Sequence, residues 1–284
     1  MESLKDLRVQ SGAPIVECKK ALQAAGDDLD AAMDWLREHG AAKASTKVQG
    51  RETTEGLVSM KVSDDGKSAA LVKIASETDF AGRSTKFVDL MLNVVDAIFQ
   101  SSEDGNLDND TVLQATLGGK VVKDFVDEAI VAIRENLSVT NAVKLRSEDG
   151  ILVGYIHNRV DGSDAGTAAS IVELSGKDVT VDILLTTGKK LAMHVVAARP
   201  QYLSPERVPG EVLKKEKEIL LKQMEGSGKP PEIMNKIAEG KLRKFYESVC
   251  LTEQGHMIEE KSPKVGNVLK DLGITLRRYE YLII

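Results

Sequence analysis

The sequence predicts an α+β protein fronted by a small helical module, and three observations carry that prediction. Residues 1–40 place apolar side chains at helical spacing between the breakers Gly12, Gly26 and Gly40. Two stretches, starting near residues 57 and 145, each set strand-like apolar runs around a polar turn and follow them with an amphipathic helical pattern. A charged, helix-period segment over residues 205–249 then precedes a strand-like end. Hairpin-then-helix, written twice, is the pattern of a duplicated α+β core whose antiparallel sheets are covered on one face by helices.

Taken in order, Ser3 is placed to cap a first helix with Leu4 and Leu7 on one side, and Gly12-Ala13-Pro14 breaks it. Val16, Ala21, Leu22 and Ala25 mark a second helix that Gly26 ends. Asp27 or Asp28 caps a third, carrying Leu29, Ala32, Met33, Trp35 and Leu36 and closing before Gly40. Cys18 and Trp35 are read as core of this module, residues 1–45. At that size it lies near the lower limit for independent folding, so its bundle is small and an apolar face is left for a partner. Residues 43–53 form a polar linker, helical at its start.

Residues 57–62 and 69–74 read as strands joined by the turn Ser63-Asp64-Asp65-Gly66-Lys67. Phe87, Leu90, Met91, Val94, Val95 and Ile98 keep helical spacing, and a second helix over 121–137 shows Val122, Phe125, Val126, Ala129 and Ile133. These elements make a first core subdomain, residues 54–140. Leu145 and residues 151–156 supply the next strands, 158–166 a Gly/Asp/Ser-rich loop, 168–174 another strand and 179–198 a helix that stops before Pro200. Residues 141–204 with 250–284 make the second subdomain and a short C-terminal module of a helix (265–272) and a strand (274–284). The inserted segment 205–249 is an antiparallel helical hairpin in the manner of a short coiled coil, with helices over 206–225 and 232–249 and a Gly-Ser-Gly-Lys-Pro-Pro breaker at 226–231. Val212, Ile219 and Met224 on one arm face Ile233, Ile237 and Leu242 on the other.

A chain of 284 residues with 42% hydrophobic content buries real cores in two or three units. Its net charge of −6 argues against a nucleic-acid binder, because phosphate neutralisation needs a clustered excess of Lys and Arg. The only cysteines, Cys18 and Cys250, make no disulfide framework and suit a reducing compartment. No apolar run is long enough for a membrane span, and Met1-Glu2-Ser3-Leu4-Lys5 has neither a signal-peptide core nor a transit-peptide composition. His39, His157, His194 and His256 have no metal-ligand spacing, there is no Gly-rich phosphate loop with its Lys, and no nucleophile has an identifiable base. The expectation is a protein without cofactor or metal that works by binding another protein.

Thr78-Asp79-Phe80, between a strand and a helix, has two readings. Thr78 or Asp79 caps the following helix and Phe80 staples the turn, or Asp79 and Phe80 are presented outward, an anion and an apolar wedge, to enter a partner. Val16-Glu17-Cys18-Lys19-Lys20-Ala21-Leu22 followed by Glu77-Thr78-Asp79-Phe80 resembles the paired signature of the elongation factor Ts family. Gly154-Tyr155-Ile156-His157, the run Ala192-Met193-His194-Val195-Val196-Ala197-Ala198-Arg199-Pro200, and Glu239-Gly240-Lys241-Leu242-Arg243-Lys244-Phe245-Tyr246 are similar to further motifs of that family, in family order over nearly the whole chain. The chain departs from the family pattern at Ser76, where Cys is usual, at Ala81-Gly82, and at Ile15-Val16-Glu17.

The resemblance implies a guanine-nucleotide exchange factor, not an enzyme, whose partner is the GTPase elongation factor Tu and which binds no nucleotide, nucleic acid, membrane or metal itself. It implies that Thr78, Asp79 and Phe80 act on the GTPase, Phe80 wedging between helices of its G domain and Asp79 displacing the elements that hold Mg²⁺. Lys19 and Lys20 enter the interface on resemblance alone, their ordinary role being a solvated helix face. For His157 a structural role on a strand and a place near the G domain both stand, whereas His194, on an apolar helix, needs only a buried hydrogen bond. The helical start is similar to a ubiquitin-associated (UBA-like) module, so the rival is an interaction adaptor; an unrecognised α+β enzyme is the third class. A mitochondrial matrix, with a presequence removed, is favoured over a bacterial cytoplasm, and self-association is left open.

Overall fold

The computed structural model describes residues 2–11, 13–48, 50–160, 162–222 and 231–284. The chain forms two compact units: Met1–Arg146 with Ile156–Ala169 and Leu282–Ile284, and Ser147–Tyr155 with Ser170–Tyr281. Among the described residues, no helix is long and apolar enough to cross a membrane.

The first unit opens with α1 (Glu2–Ser11), α2 (Ile15–Ala24) and α3 (Leu29–Val48). Leu7, Ala13, Cys18, Ala21, Leu22, Ala32 and Leu36 form their shared core, with Trp35 half-buried against it. Ser3 lies inside α1 rather than ahead of it. Asp28, not Asp27, begins α3, its carboxylate accepting from the Ala31 amide at 2.9 Å. Val16 is not part of the buried face; Cys18, Ala21, Leu22 and Ala25 hold the i, i+3, i+4, i+7 stripe instead. Gly40 does not end α3, which runs on through the expected linker to Val48. A helical glycine costs only about 1 kcal/mol relative to Ala, and Val48 is buried in the core of the sheet that follows.

That sheet starts from β1 (Glu55–Val62) and β2 (Ser68–Ser76), antiparallel with Val62 opposite Ala69. Their turn is closed by Asp65, which accepts from the Lys67 amide at 2.9 Å, and by Gly66 at φ 65°. There follow α4 (Asp79–Gly82), α5 (Thr85–Gln100), β3 (Gly105–Leu107), α6 (Asn109–Gln114), β4 (Thr116–Leu117), β5 (Lys120–Val121), α7 (Val122–Ile133) and β6 (Leu137–Arg146). α5 buries Phe87, Leu90, Met91, Val94, Val95 and Ile98, and α7 adds Val122, Val126, Ala129 and Ile130. The second helix stops at Ile133 instead of 137 because Arg134 turns left-handed, at φ 67°, and Leu137 already belongs to β6.

β6 crosses residue 140, where the sequence reading puts a boundary, and pairs with β2 from Ser76 opposite Leu137 to Ser68 opposite Arg146. Leu145 is thus the far end of a first-sheet strand, not the start of a second hairpin. A bulge between Lys73 and Ile74 places Thr140 outside the ladder. β7 (Ile151–His157) and β8 (Ala165–Gly166) come next, and the sheet order is β3-β6-β2-β1-β8. Lys144, 2% exposed, donates to Ser68 Oγ at 2.7 Å and to the Phe99 carbonyl at the end of α5, with its ammonium 4.2 Å from the Phe99 ring centre. A cation on the carbonyl end of a helix is favourable, although burial lowers the Lys144 pKa.

The second unit holds a sheet of order β10-β9-β7, built from β7, β9 (Ala168–Ser175) and, after α8 (Val181–Ala198), α9 (Gly210–Lys222), α10 (Pro231–Val249) and α11 (Val265–Asp271), β10 (Thr275–Ile283). Val153, Val172, Leu174, Leu191, Val195 and Leu269 lie in its core. Gly188 of α8 is required there: a Cβ would sit 2.7 Å from Val153 Cβ. Residues 205–207 form a 3₁₀ turn, so the first arm of the hairpin begins only at Gly210. Its base is tied down by Val208, Val249 and Cys250 packed against Tyr202, Leu213 and Phe245. Ile219, expected in the seam, is 40% exposed and Leu220 is buried instead. Met224, residues 226–230 of the breaker and the Ile233 side chain lie outside the described residues. His194 is buried and doubly bonded, Nε2 to Gln254 Oε1 at 3.1 Å and Nδ1 accepting from the Met257 amide at 3.1 Å, an arrangement that needs the neutral ring.

Candidate partner-binding site

β2 delivers the chain to Glu77 and an extended Thr78 (φ −131°, ψ 157°), after which Asp79 to Gly82 make the single turn α4. Ala81 and Gly82 are buried beneath this turn, which leaves Phe80 on its outer side, 77% exposed. A phenyl ring left in water forgoes roughly 1.5–3 kcal/mol of burial. Phe80 is therefore no staple.

Thr78 occupies the N-cap position of α4, but neither its side chain nor that of Asp79 caps a helix. Thr78 makes no side-chain cap bond to α4. The cap of α5 is Ser84, whose hydroxyl accepts from the Phe87 amide at 3.2 Å and donates to the Ala81 carbonyl at 2.8 Å. Among the described residues Asp79 pairs with Arg83, at 3.2 Å, with both side chains largely exposed, and such pairs contribute little. Asp79 is thus an accessible anion beside an accessible apolar ring.

The Thr78 backbone is held from across the unit. Its amide donates to Glu135 Oε2 at 3.0 Å, its hydroxyl to Glu135 Oε1 at 2.6 Å, and its carbonyl accepts from the buried Ser76 hydroxyl at 2.9 Å. Glu77 accepts from the Asn136 amide at 2.6 Å and lies 3.4 Å from the Arg51 guanidinium, while Asn136 Nδ2 donates to the Arg51 carbonyl at 2.8 Å. Sequence reading missed Glu135, whose only signal is its place just beyond the end of a helix, 57 residues from Thr78.

Lys19 and Lys20 stand exposed on α2, Lys20 pairing with Glu17 at 3.0 Å. On the same helix Ile15 and Val16 are 51% and 60% exposed, giving an apolar patch beside the two lysines. His157 is exposed at the end of β7, its carbonyl accepting from the Thr167 amide at 3.0 Å. One loop brings Thr78, Asp79 and Phe80 together. Its side-chain partners are Glu135, Ser76 and Arg83, not Lys19, Lys20 or His157.

Among the described residues no group of three His, Cys, Asp or Glu side chains is arranged to hold a metal. A cleft of about 520 Å³ in the second unit is lined by residues 200–203, Arg207 and residues 277–281, Arg278, Tyr279 and Glu280 among them. Burial raises the Glu280 carboxyl, opposed by Arg278, and the lining holds no second carboxylate and no histidine.

The family model described as Elongation factor TS matches residues 77–283. Elongation factor Ts of Halothermothrix orenii is 36% identical over 282 residues, 98% of this chain and 90% of that protein. That of Aquifex aeolicus is 37% identical over 281 residues, 97% and 93% of the two chains, and that of Rhizobium leguminosarum bv. trifolii 38% over 257 residues, 90% and 80%. These relatives are bacterial and lend nothing to a mitochondrial location. With a family model that covers most of the chain and relatives above one-third identity along nearly its whole length, this protein belongs to the elongation factor Ts family.

Proposed function

We propose that this translation elongation factor is the guanine-nucleotide exchange factor of elongation factor Tu in a bacterial cytoplasm, acting by binding and carrying out no chemistry. The observation that supports this best is Phe80, a large apolar residue held 77% exposed beside the accessible carboxylate of Asp79. An exchange factor needs only to bind the nucleotide-free GTPase more tightly than the GDP-bound form; linkage then weakens GDP binding by the same factor. Phe80 enters the G domain as a wedge, Asp79 disturbs the Mg²⁺ and phosphate site, and the α1–α3 module grips the G domain through Ile15, Val16, Lys19 and Lys20. The second unit holds another domain of the GTPase, and the helical hairpin is peripheral to GDP release.

The test is release of fluorescent GDP from elongation factor Tu on addition of the purified chain. Acceleration by substoichiometric chain, most of it lost in Phe80→Ala, supports the proposal; unchanged release rejects it. The exposed Ile15–Val16 patch also fits an adaptor, and capture of ubiquitin by the intact chain with no effect on GDP release would favour that second reading.

A further inference from the structure

We infer that Glu135 is a positioning residue for exchange: its carboxylate clamps Thr78 and thereby sets the direction in which Phe80 is presented. The inference rests on the exchange reading for its functional half; the clamp itself rests on geometry.

Phe80 is 77% exposed, so its direction is set chiefly by its backbone. That backbone is a helix of four residues, too short to be stable alone, since helix nucleation is unfavourable and only propagation repays it. Its C-terminal side is fixed by the Arg83 and Ser84 amides donating to the Phe80 and Ala81 carbonyls at 3.2 and 2.9 Å. On the N-terminal side the fixing is done at Thr78, two residues before Phe80. All three polar groups of Thr78 are engaged, two by the Glu135 carboxylate and one by Ser76. Hydrogen bonds to an ionised acceptor are the stronger kind, and two on one residue fix an angle as well as a distance.

Glu135 is itself placed by the end of α7. Arg134 adopts the left-handed conformation, so the chain reverses and Glu135 emerges beside the end of β2. Asn136 then fastens the same corner, with its amide on Glu77 and its side chain on the Arg51 carbonyl. The clamp therefore couples the loop to α7, a helix packed in the unit's core, and does so without touching the surface that Phe80 and Asp79 offer.

The experiment uses the full chain with Glu135→Ala, Glu135→Gln, Thr78→Ser and Thr78→Val, and with Glu135→Ala combined with Phe80→Ala. The readouts are the maximal rate and half-saturating concentration for release of fluorescent GDP from elongation factor Tu, and hydrogen exchange at the Thr78 amide. Glu135→Ala is expected to lower the maximal rate about tenfold, equivalent to about 1.4 kcal/mol, with the half-saturating concentration changed less than about twofold. The Thr78 amide should exchange faster. Thr78→Ser, which keeps the hydroxyl, should stay near the parent, whereas Thr78→Val, which loses the hydroxyl bond, and Glu135→Gln, which replaces the charged acceptor with a neutral amide, should fall between.

In the Phe80→Ala background Glu135→Ala should cost no more than the few-fold that Asp79, on the same turn, contributes, because most of the clamp's effect passes through the ring. An equal loss in both backgrounds, or full exchange activity with a deprotected Thr78 amide, would overturn the positioning role. If Glu135→Ala does not fold, Glu135→Gln and Thr78→Val decide by the same criteria. Failure of the parent chain to accelerate GDP release would instead reject the exchange reading; the clamp would then fall separately if Glu135→Ala or Glu135→Gln left Thr78 amide protection unchanged.

Discussion

Replacing Phe80 with Ala removes a ring that is 77% exposed and packs against no core, while leaving the buried Ala81 and Gly82 in place. Little folding energy is at stake, and stability should stay within about 0.5 kcal/mol of the parent. On docking, the exposed part of the ring is what becomes buried. Complete burial of a Phe is worth roughly 1.5–3 kcal/mol, so about three-quarters of it amounts to about 1–2 kcal/mol. That converts to a fall of about five- to thirtyfold in exchange efficiency at subsaturating concentrations. The assay is stopped-flow release of fluorescent GDP from elongation factor Tu, run beside thermal unfolding of the free variant. Exchange equal to the parent's would refute the wedge, and a markedly lower unfolding temperature would show that Phe80 contributes to the core after all.

Asp79→Ala should reduce exchange by a few-fold while changing stability by less than about 0.5 kcal/mol, since its exposed pair with Arg83 contributes little; thermal unfolding would expose a capping role as a loss of about 0.5–2 kcal/mol. Deleting residues 1–45 keeps Val48, which is buried with the sheet, so the remaining chain should give a folded circular dichroism spectrum but need a higher concentration for half-maximal GDP release. Full exchange by the deletion would remove the α1–α3 module from the interface. His256 is buried beside His194, their ring centres 5.2 Å apart, and burial, with that neighbour and the Lys190 cation, holds its pKa down at about 4 against the raising effect of Glu259. The unfolded state, with its ordinary value of 6.5, binds the proton first, so stability is full above pH 6.5 and declines as pH falls toward 4, by at most about 3 kcal/mol from this group. Urea denaturation at pH 7 and pH 4.5 should show that decline, and His256→Gln should flatten it.

Local chemistry made much of the fold legible. The Ser63-Asp64-Asp65-Gly66 turn joins β1 and β2 as the residue types require, and the period of Phe87 to Ile98 marks the buried face of α5. What failed to read were features decided by distant contacts. Gly40 looks like a helix end, but burial of Val48 in the sheet core accompanies a longer helix. β6 hides because Thr140 is bulged and Lys144 is a buried cation, neither of which fits an alternating strand pattern. Val16 looks like core, yet Cys18 takes the buried phase and leaves Val16 on the surface.

At the candidate site the residues alone favoured capping over presentation for Thr78-Asp79-Phe80, and only the family resemblance pointed to presentation. The choice depends on where Thr78 finds its partner, and that partner, Glu135, comes from the other end of the subdomain. A carboxylate just past a helix end carries no sign in sequence of which amide it meets. Lys19 and Lys20 entered through family resemblance, and the exposed Ile15 and Val16 beside them give that patch an apolar component, although helical periodicity grouped Val16 with the apolar stripe of its helix.

The most direct test of exchange is the rate of fluorescent GDP release from elongation factor Tu as a function of the concentration of this chain, in excess unlabelled GDP. The account predicts a rate that rises to a plateau, with one chain discharging many GTPase molecules, and an initial slope that falls about five- to thirtyfold in Phe80→Ala. A release rate equal to the spontaneous one at every concentration, from a chain that circular dichroism shows to be folded, would contradict it.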